Sequence, residues 1–374
     1  MTSNTHIDLA SNPKAATANR RIFRLAFGTS LSLVFSQIVN WDMSFIAAVF
    51  TMFLLATPMP APTLGKAIGL FVGLLLPICL GIAVIPLLNG ARWAGIIIVA
   101  CALYYSFYYS AKGGSALIGT FFTFGLTMVV TVGSLSLDIL LMLIEDLALG
   151  VVFGLVFVWI AYAVFPDLPP PPRLQPQAIA PARKPNLPEA RRAAFRSMLI
   201  AFPVTLILLF SSNSAAYIVV MMKVSAMGQQ ATTDHSRAMG RSLLESTFWG
   251  GLGAILAWQW LSIWPNLTIY ALIIAIAALL YGSRIYSGYG MSAKGNMWMN
   301  AFLTMIVVLA PAVIDSQGGS SAGAAFYSRL ILVSVAAVYG TVAVAVFNAF
   351  WMQGKKKKEG DTKKKEGDTN NLTT

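Results

Sequence analysis

The chain has 374 residues, 57% hydrophobic and only 11% charged, with a formal net charge of +12. Its mean hydropathy is +0.71 and its apolar residues come in long blocks, the composition of an integral membrane protein. The basic residues form no continuous face that would suit nucleic acid, and two cysteines and two histidines are too few for a metal centre, a disulfide framework or a Cys/His nucleophile.

The polar tail 1–20 leads into Asn19-Arg-Arg-Ile-Phe-Arg-Leu-Ala-Phe27. This stretch faintly resembles a twin-arginine export signal but continues into further apolar blocks without a small-residue cleavage site, so it reads as the basic flank of an uncleaved first helix. Apolar blocks bounded by polar, Gly or Pro residues predict twelve spans, at 25–39, 43–57, 67–88, 93–109, 115–134, 146–165, 197–211, 214–228, 242–262, 267–283, 297–314 and 327–351. The predicted fold class is therefore all-α, a polytopic membrane protein. With the N-terminus in the cytoplasm, Arg20, Arg21, Arg24, Lys66, Lys112, the arginines from Arg173 to Arg192, Arg237, Arg241, Arg284, Lys294 and the C-terminal lysines all lie inside. Only Arg92 is clearly outside, which orients the chain with both termini in the cytoplasm.

A proline-rich basic linker, 166–192, separates two similar halves, 21–165 and 193–352. Phe23-Arg24 corresponds to Phe195-Arg196, Lys66-Ala-Ile-Gly69 to Arg237-Ala-Met-Gly240, Ser110-Ala-Lys-Gly113 to Ser292-Ala-Lys-Gly295, and Phe153-Gly154 to Tyr339-Gly340. The order is kept while the offset drifts, the mark of a duplication. Six spans per half make the two repeats parallel, related by an axis along the membrane normal. Beyond them, 353–374 carries a tandem Lys-Lys-Lys-Glu-Gly-Asp-Thr repeat that reads as a disordered tail suited to anionic lipids of the bilayer.

Short or Pro/Gly-interrupted spans at corresponding positions point to a transporter's binding region. Here they are span two, stopped by Pro58-Met-Pro-Ala-Pro62, and span eight, stopped by Gly228-Gln-Gln230. Span eight carries Lys223, whose first-half counterpart is Met52. From an entry near Ser214, nine residues place this lysine about 14 Å deep, close to the middle of a hydrocarbon core about 30 Å thick. It either snorkels to the inner headgroups or lines a wet crevice and attracts an anion. Asn213, Tyr286 and Arg284 are assigned to the same solute path. Glu245 is the candidate proton carrier, with a surface pair to Arg241 one helical turn away as the alternative. Glu145 and Asp146, opposite Arg329 at the equivalent place, are expected to form an inter-repeat pair or an outer gate. Asp42 and Asp315 read as solvated loop residues. Tyrosines at 104–109 and at 281, 286 and 289 read as interfacial belts or as an inner vestibule for planar solutes. No Gly-x-x-x-x-Gly-Lys-Ser/Thr pattern is present, so neither ATP hydrolysis nor any other enzyme activity or cofactor is expected.

The run from Arg21-Ile-Phe-Arg-Leu-Ala-Phe through Ala56-Thr-Pro-Met-Pro to the Ser-Ala-Lys-Gly turn resembles the fusaric acid resistance and aromatic acid exporter superfamily, in particular a short bacterial branch whose domain has no assigned function. The resemblance implies an inner-membrane exporter of small organic anions, aromatic carboxylates above all, driven by protons and working with a periplasmic membrane-fusion-type adaptor and an outer-membrane channel. Plant relatives that are anion channels keep a channel open as the alternative, beside a non-transporting scaffold of an envelope complex. The larger exporters carry a cytoplasmic domain after each membrane half, replaced here by the linker and the lysine tail, so homo-oligomerisation stays open.

Overall fold

The computed structural model of the chain describes residues 13–39, 43–133, 136–168, 187–210, 218–233, 238–317 and 322–370. Among them are twelve helices in the predicted order: α1 (Pro13–Val39), α2 (Phe45–Ala56), α3 (Leu64–Gly90), α4 (Arg92–Ala111), α5 (Ala116–Gly133), α6 (Leu137–Val164), α7 (Leu187–Leu209), α8 (Ile218–Thr233), α9 (Ala238–Ile263), α10 (Leu267–Ile285), α11 (Gly295–Gln317) and α12 (Ala322–Asn370). A hairpin, β1 (Tyr286–Ser287) and β2 (Gly290–Met291), joins α10 to α11. Eight helices (α1, α3, α4, α6, α7, α10, α11 and α12) are long and apolar enough to cross a membrane. The protein is an all-α, multi-pass membrane protein.

Several boundaries differ from the sequence reading. Helix α1 begins within the expected polar tail and α7 within the expected linker. Helix α6 begins at Leu137, with Asp138 in its first turn, because the run Ile139 to Ile144 ahead of Glu145 is itself apolar. Glu145 and Asp146 therefore lie within the helix and do not open it. Helix α8 runs through Gly228-Gln-Gln230 to Thr233. Helix α12 continues to Asn370, through the lysine-rich repeat expected to be disordered. A helix already nucleated extends one hydrogen bond at a time, and lysine is a good helix former. Asn213, Asp42 and most of the linker lie outside the described residues.

The packing follows a two-fold pattern. In each half the first helix packs on the second, the third on the fifth and the second on the sixth: α1–α2, α3–α5 and α2–α6 in one, α7–α8, α9–α11 and α8–α12 in the other. The fourth helix of each half crosses over to the first helix of its counterpart, α4 onto α7 and α10 onto α1. The pairs α5–α8 and α2–α11 join the halves in the same reciprocal way, as a two-fold relation between like repeats requires. Contacts of α4 with α8 and of α5 with α7 add to the interface in one sense only. Exposure repeats too: Arg24 and Arg196 are both buried, whereas Phe23 and Phe195, one residue earlier, are both exposed. The hairpin lies where the offset between the halves widens. In the first half Lys112 to Ser115 lead directly from α4 into α5.

The two short helices lie at the centre of this arrangement. At a 1.5 Å rise per residue α2 spans about 18 Å and α8 about 24 Å, less than the hydrocarbon thickness of about 30 Å. Such helices persist at membrane depth only where protein, not lipid, surrounds their ends. Accordingly every residue of α2 except Phe53 is buried, as are residues 220–229 of α8. Past the end of α2 the prolines at 58, 60 and 62 have no N–H to donate. Side chains bond the last carbonyls instead: the Thr57 hydroxyl donates to Leu54 at 3.0 Å and the Tyr286 hydroxyl to Leu55. The loop is held from α6, by the Trp159 indole donating to Pro62 at 2.8 Å and the Tyr162 hydroxyl donating to Met59.

Glycines set the close helix crossings. A Cβ on Gly154 of α6 would lie 2.9 Å from Phe50 Cβ and 3.3 Å from the Ala47 carbonyl oxygen of α2. One on Gly250 of α9 would lie 2.4 Å from the Ala301 carbonyl oxygen of α11. Small residues at such crossings let backbones approach closely. We expect Gly154→Leu to destabilise the full-length protein by about 1–3 kcal/mol, as overpacking does. Gly69→Ala, where no atom lies within 4 Å, should stay within about 0.5 kcal/mol of the parent. Thermal unfolding in detergent checks both, and equal melting of Gly154→Leu and parent would contradict the close α2–α6 crossing.

Candidate functional site

Lys223 lies on α8 with only 3% of its surface exposed. Its Nζ donates to Thr304 Oγ1 of α11 at 2.6 Å, and the threonine hydroxyl in turn donates to the Asn300 carbonyl at 2.7 Å. The remaining walls are Leu303, Val307, Val308 and, from α12, Val333. The space between them has no room for a water molecule, so among the described residues these walls do not form the wet crevice expected around this lysine. The amine does not snorkel either: it turns inward, into the protein. Among the described residues no carboxylate lies within ion-pair distance of it. An ammonium has three donors, and a charge this deep is costly until an opposite charge or water reaches it.

The opposite side of α8 faces a stripe of hydroxyls. Thr123, Thr127 and Thr131 recur every fourth residue along α5, all buried, and each donates to the carbonyl four residues earlier. Thr131 also reaches the Met221 sulfur at 3.1 Å, and the Gln229 side-chain amide donates to Thr123 at 3.0 Å. Ser106 of α4 joins the group, 2.8 Å from Thr123. Gly119 makes room for this cluster, since a Cβ there would lie 1.9 Å from Ser110 Oγ and 3.0 Å from the Gln229 amide. A polar seam thus runs between α4 and α5 of the first half and α8 of the second, with Lys223 on the far side of α8. The spacing of the three threonines was readable in the sequence. Thr304, a single hydroxyl within an apolar run, gave no such signal.

The other predicted residues fall into separate places. Tyr286 is buried at the end of α2 and acts there as a cap. Arg284 is exposed at the end of α10, its guanidinium 5.4 Å from the Trp298 ring centroid. Neither touches Lys223, and Asn213 lies outside the described residues. Glu245 bonds Arg241 at 2.6 Å and Lys294 at 3.3 Å near the ends of α9 and α11; the second cation was not foreseen. Arg329 bonds Asp315 at 2.6 Å, within its own half. The expected bridge from Arg329 to Glu145 and Asp146 is therefore replaced, because α11 extends to Gln317 and carries Asp315 beside the start of α12. Asp315 is thus an ion-pair partner and no free loop residue. Glu145 is exposed and Asp146 buried. The two tyrosine clusters do not form one vestibule: Tyr104 stacks on Tyr108 of α4, whereas Tyr281 packs on Trp298 and Phe302 of α11.

Basic groups gather at one end of the bundle. Arg24 is buried there, bonding Asp167 at 2.9 Å with its guanidinium 3.6 Å from the Tyr162 ring centroid, and Arg21 donates to the Tyr289 carbonyl at 2.6 Å. The hairpin that carries Tyr286 is thus tied to α1 as well as to α2.

Residues 21–164 match a family described as "Protein of unknown function (DUF2955)". The match covers α1 from Arg21 to the end of α6 and supports a membrane-protein family without assigning an activity. Comparison with curated proteins and with solved structures finds no match.

The bond between Lys223 and Thr304 is testable by a double-mutant cycle. Thr304→Val should destabilise the protein by about 1–3 kcal/mol, because it strips a buried amine of its acceptor. Adding Lys223→Met should recover most of that loss, giving a coupling energy of about 0.5–3 kcal/mol. Additive changes in detergent melting curves would show that the two side chains do not interact.

Proposed function

We propose that the chain is a transporter of the bacterial inner membrane, with both termini in the cytoplasm, that exports small organic anions. Aromatic carboxylates are the substrate class that the exporter resemblance implies, and a periplasmic adaptor is the partner it implies. The observation that carries this reading is the Lys223 amine, buried at the centre with one neutral hydroxyl as its partner. An arriving carboxylate would supply the opposite charge that the described surroundings lack, and charge-assisted hydrogen bonds are the strong kind. Two further features support it. The short helices occupy corresponding positions of the two repeats, where transporter sites lie. The basic residues gather at one end, as the cytoplasmic side of a membrane protein requires.

The pairing of Glu245 favours a second reading, an anion channel. Two cations beside one carboxylate stabilise its charge, which suits a fixed ion pair better than a proton carrier.

Uptake of a panel of aromatic acids into everted vesicles, with and without a proton gradient, tests the proposal. We expect gradient-dependent accumulation of at least one acid. Lys223→Met should lower it about tenfold or more, the loss expected for one hydrogen bond to a charged group, while Glu245→Gln should leave it within about twofold. Flux that requires Lys223 but ignores the gradient would select the channel. Uptake unchanged by Lys223→Met, in protein shown to be folded, would refute both.

A further inference from the structure

The halves diverge where α9 and α10 face the membrane. In the first half α3 and α4 lie along each other, with Leu88 packed over Gly95. In the second half α9 and α10 touch at few points, and a groove of about 700 Å³ opens between them. Trp249, Leu256, Trp260, Ile273, Leu280 and Trp298 line it. Along α10 it runs from Ile269 to Arg284, about 22 Å at the helical rise, more than one leaflet's share of a 30 Å core. Its wall is apolar until the basic end, where Ser283 and Arg284 face it. Arg284 makes no ion pair among the described residues, and the Trp298 ring sits beneath its guanidinium. Met305 of α11 closes the back of the groove.

We propose that this groove binds one anionic phospholipid from the leaflet on the basic side, its phosphate on Arg284 and an acyl chain between α9 and α10. Charge decides the headgroup: an arginine fork with no carboxylate partner matches a phosphate geometrically and electrically. Size decides against a partner helix as the occupant. A 20-residue helix is a cylinder of on the order of 2,400 Å³, whereas the groove has the volume of a small-molecule site, about 300–1,000 Å³. Tryptophans flank both ends, Trp249 and Trp298 near Arg284 and Trp260 and Trp264 at the other, as anchors do at membrane interfaces. The site is separate from Lys223 and does not depend on transport.

Four of the nine tryptophans line the groove, so contact quenching reads its occupancy. The full-length protein is reconstituted in vesicles that carry brominated chains on either phosphatidylglycerol or phosphatidylcholine at equal mole fraction. We expect about fivefold preferential quenching by the brominated phosphatidylglycerol, the occupancy ratio expected for one arginine near an anionic headgroup. Arg284→Gln should abolish the preference and Arg284→Lys should retain most of it, which separates loss of charge from loss of fold. Equal quenching by the two lipids in the parent would reduce the groove to ordinary boundary lipid and overturn the proposal. A preference that survives Arg284→Gln would do the same. So would absence of quenching by either lipid in a protein that elutes as a dimer, since a second copy would then cover the groove.

Discussion

At membrane depth the protein must supply every hydrogen-bond partner itself, and that constraint shapes the centre of this fold. Helices α2 and α8 are too short to span a bilayer alone, so the polar groups at their ends fall where lipid could not solvate them. The surrounding helices bury both, and side chains take over where backbone partners run out: Thr57 and Tyr286 on the last turn of α2, Trp159 and Tyr162 on the proline loop behind it. Lys223 is the case in which this provision stops short. Among the described residues its amine has one hydroxyl and no carboxylate, and the space beside it has no room for water.

The two-fold arrangement gives the halves different tasks. Crosswise packing of α4 on α7 and α10 on α1 means that neither half buries its surfaces without the other. Yet two cations of the second half have no charged counterpart in the first. Lys223 stands where the first half has a fully buried Met52, and Arg284 where it has Ala102. The hairpin carrying Tyr286 is present in the second half alone among the described residues. Through it, the second half reaches across to cap the short helix of the first. The symmetric scaffold therefore holds an asymmetric set of charges.

Much of this was legible in the sequence because membrane spans announce themselves as apolar blocks. The order of the twelve helices followed from the apolar blocks, and the end of the short helix α2 from the prolines at 58, 60 and 62. Boundaries failed where charge sat inside a helix: Glu145 and Asp146 read as the start of a span although Ile139 to Ile144, ahead of them, is apolar too. Pairing of side chains was the least legible layer. Arg329 finds Asp315 and not Glu145 or Asp146, because the choice depends on how far α11 extends. Lys294 reaches Glu245 across two helix ends that are 49 residues apart in the chain. The hydroxyl beside Lys223 could not be foreseen at all, since it depends on the facing register of α8 and α11.

Ligand-induced stabilisation tests the central role of Lys223 most directly, because it reads binding without transport. The purified full-length protein is melted in detergent against rising concentrations of aromatic carboxylates and of their neutral amides. An acid that binds should raise Tm progressively, with about 2.7 kcal/mol of added stability at a hundredfold excess over Kd. Its amide should raise Tm far less, and in Lys223→Met the two should act alike. An acid that stabilises the parent and the Lys223→Met variant equally, or a panel in which no acid stabilises the parent at all, would contradict the account.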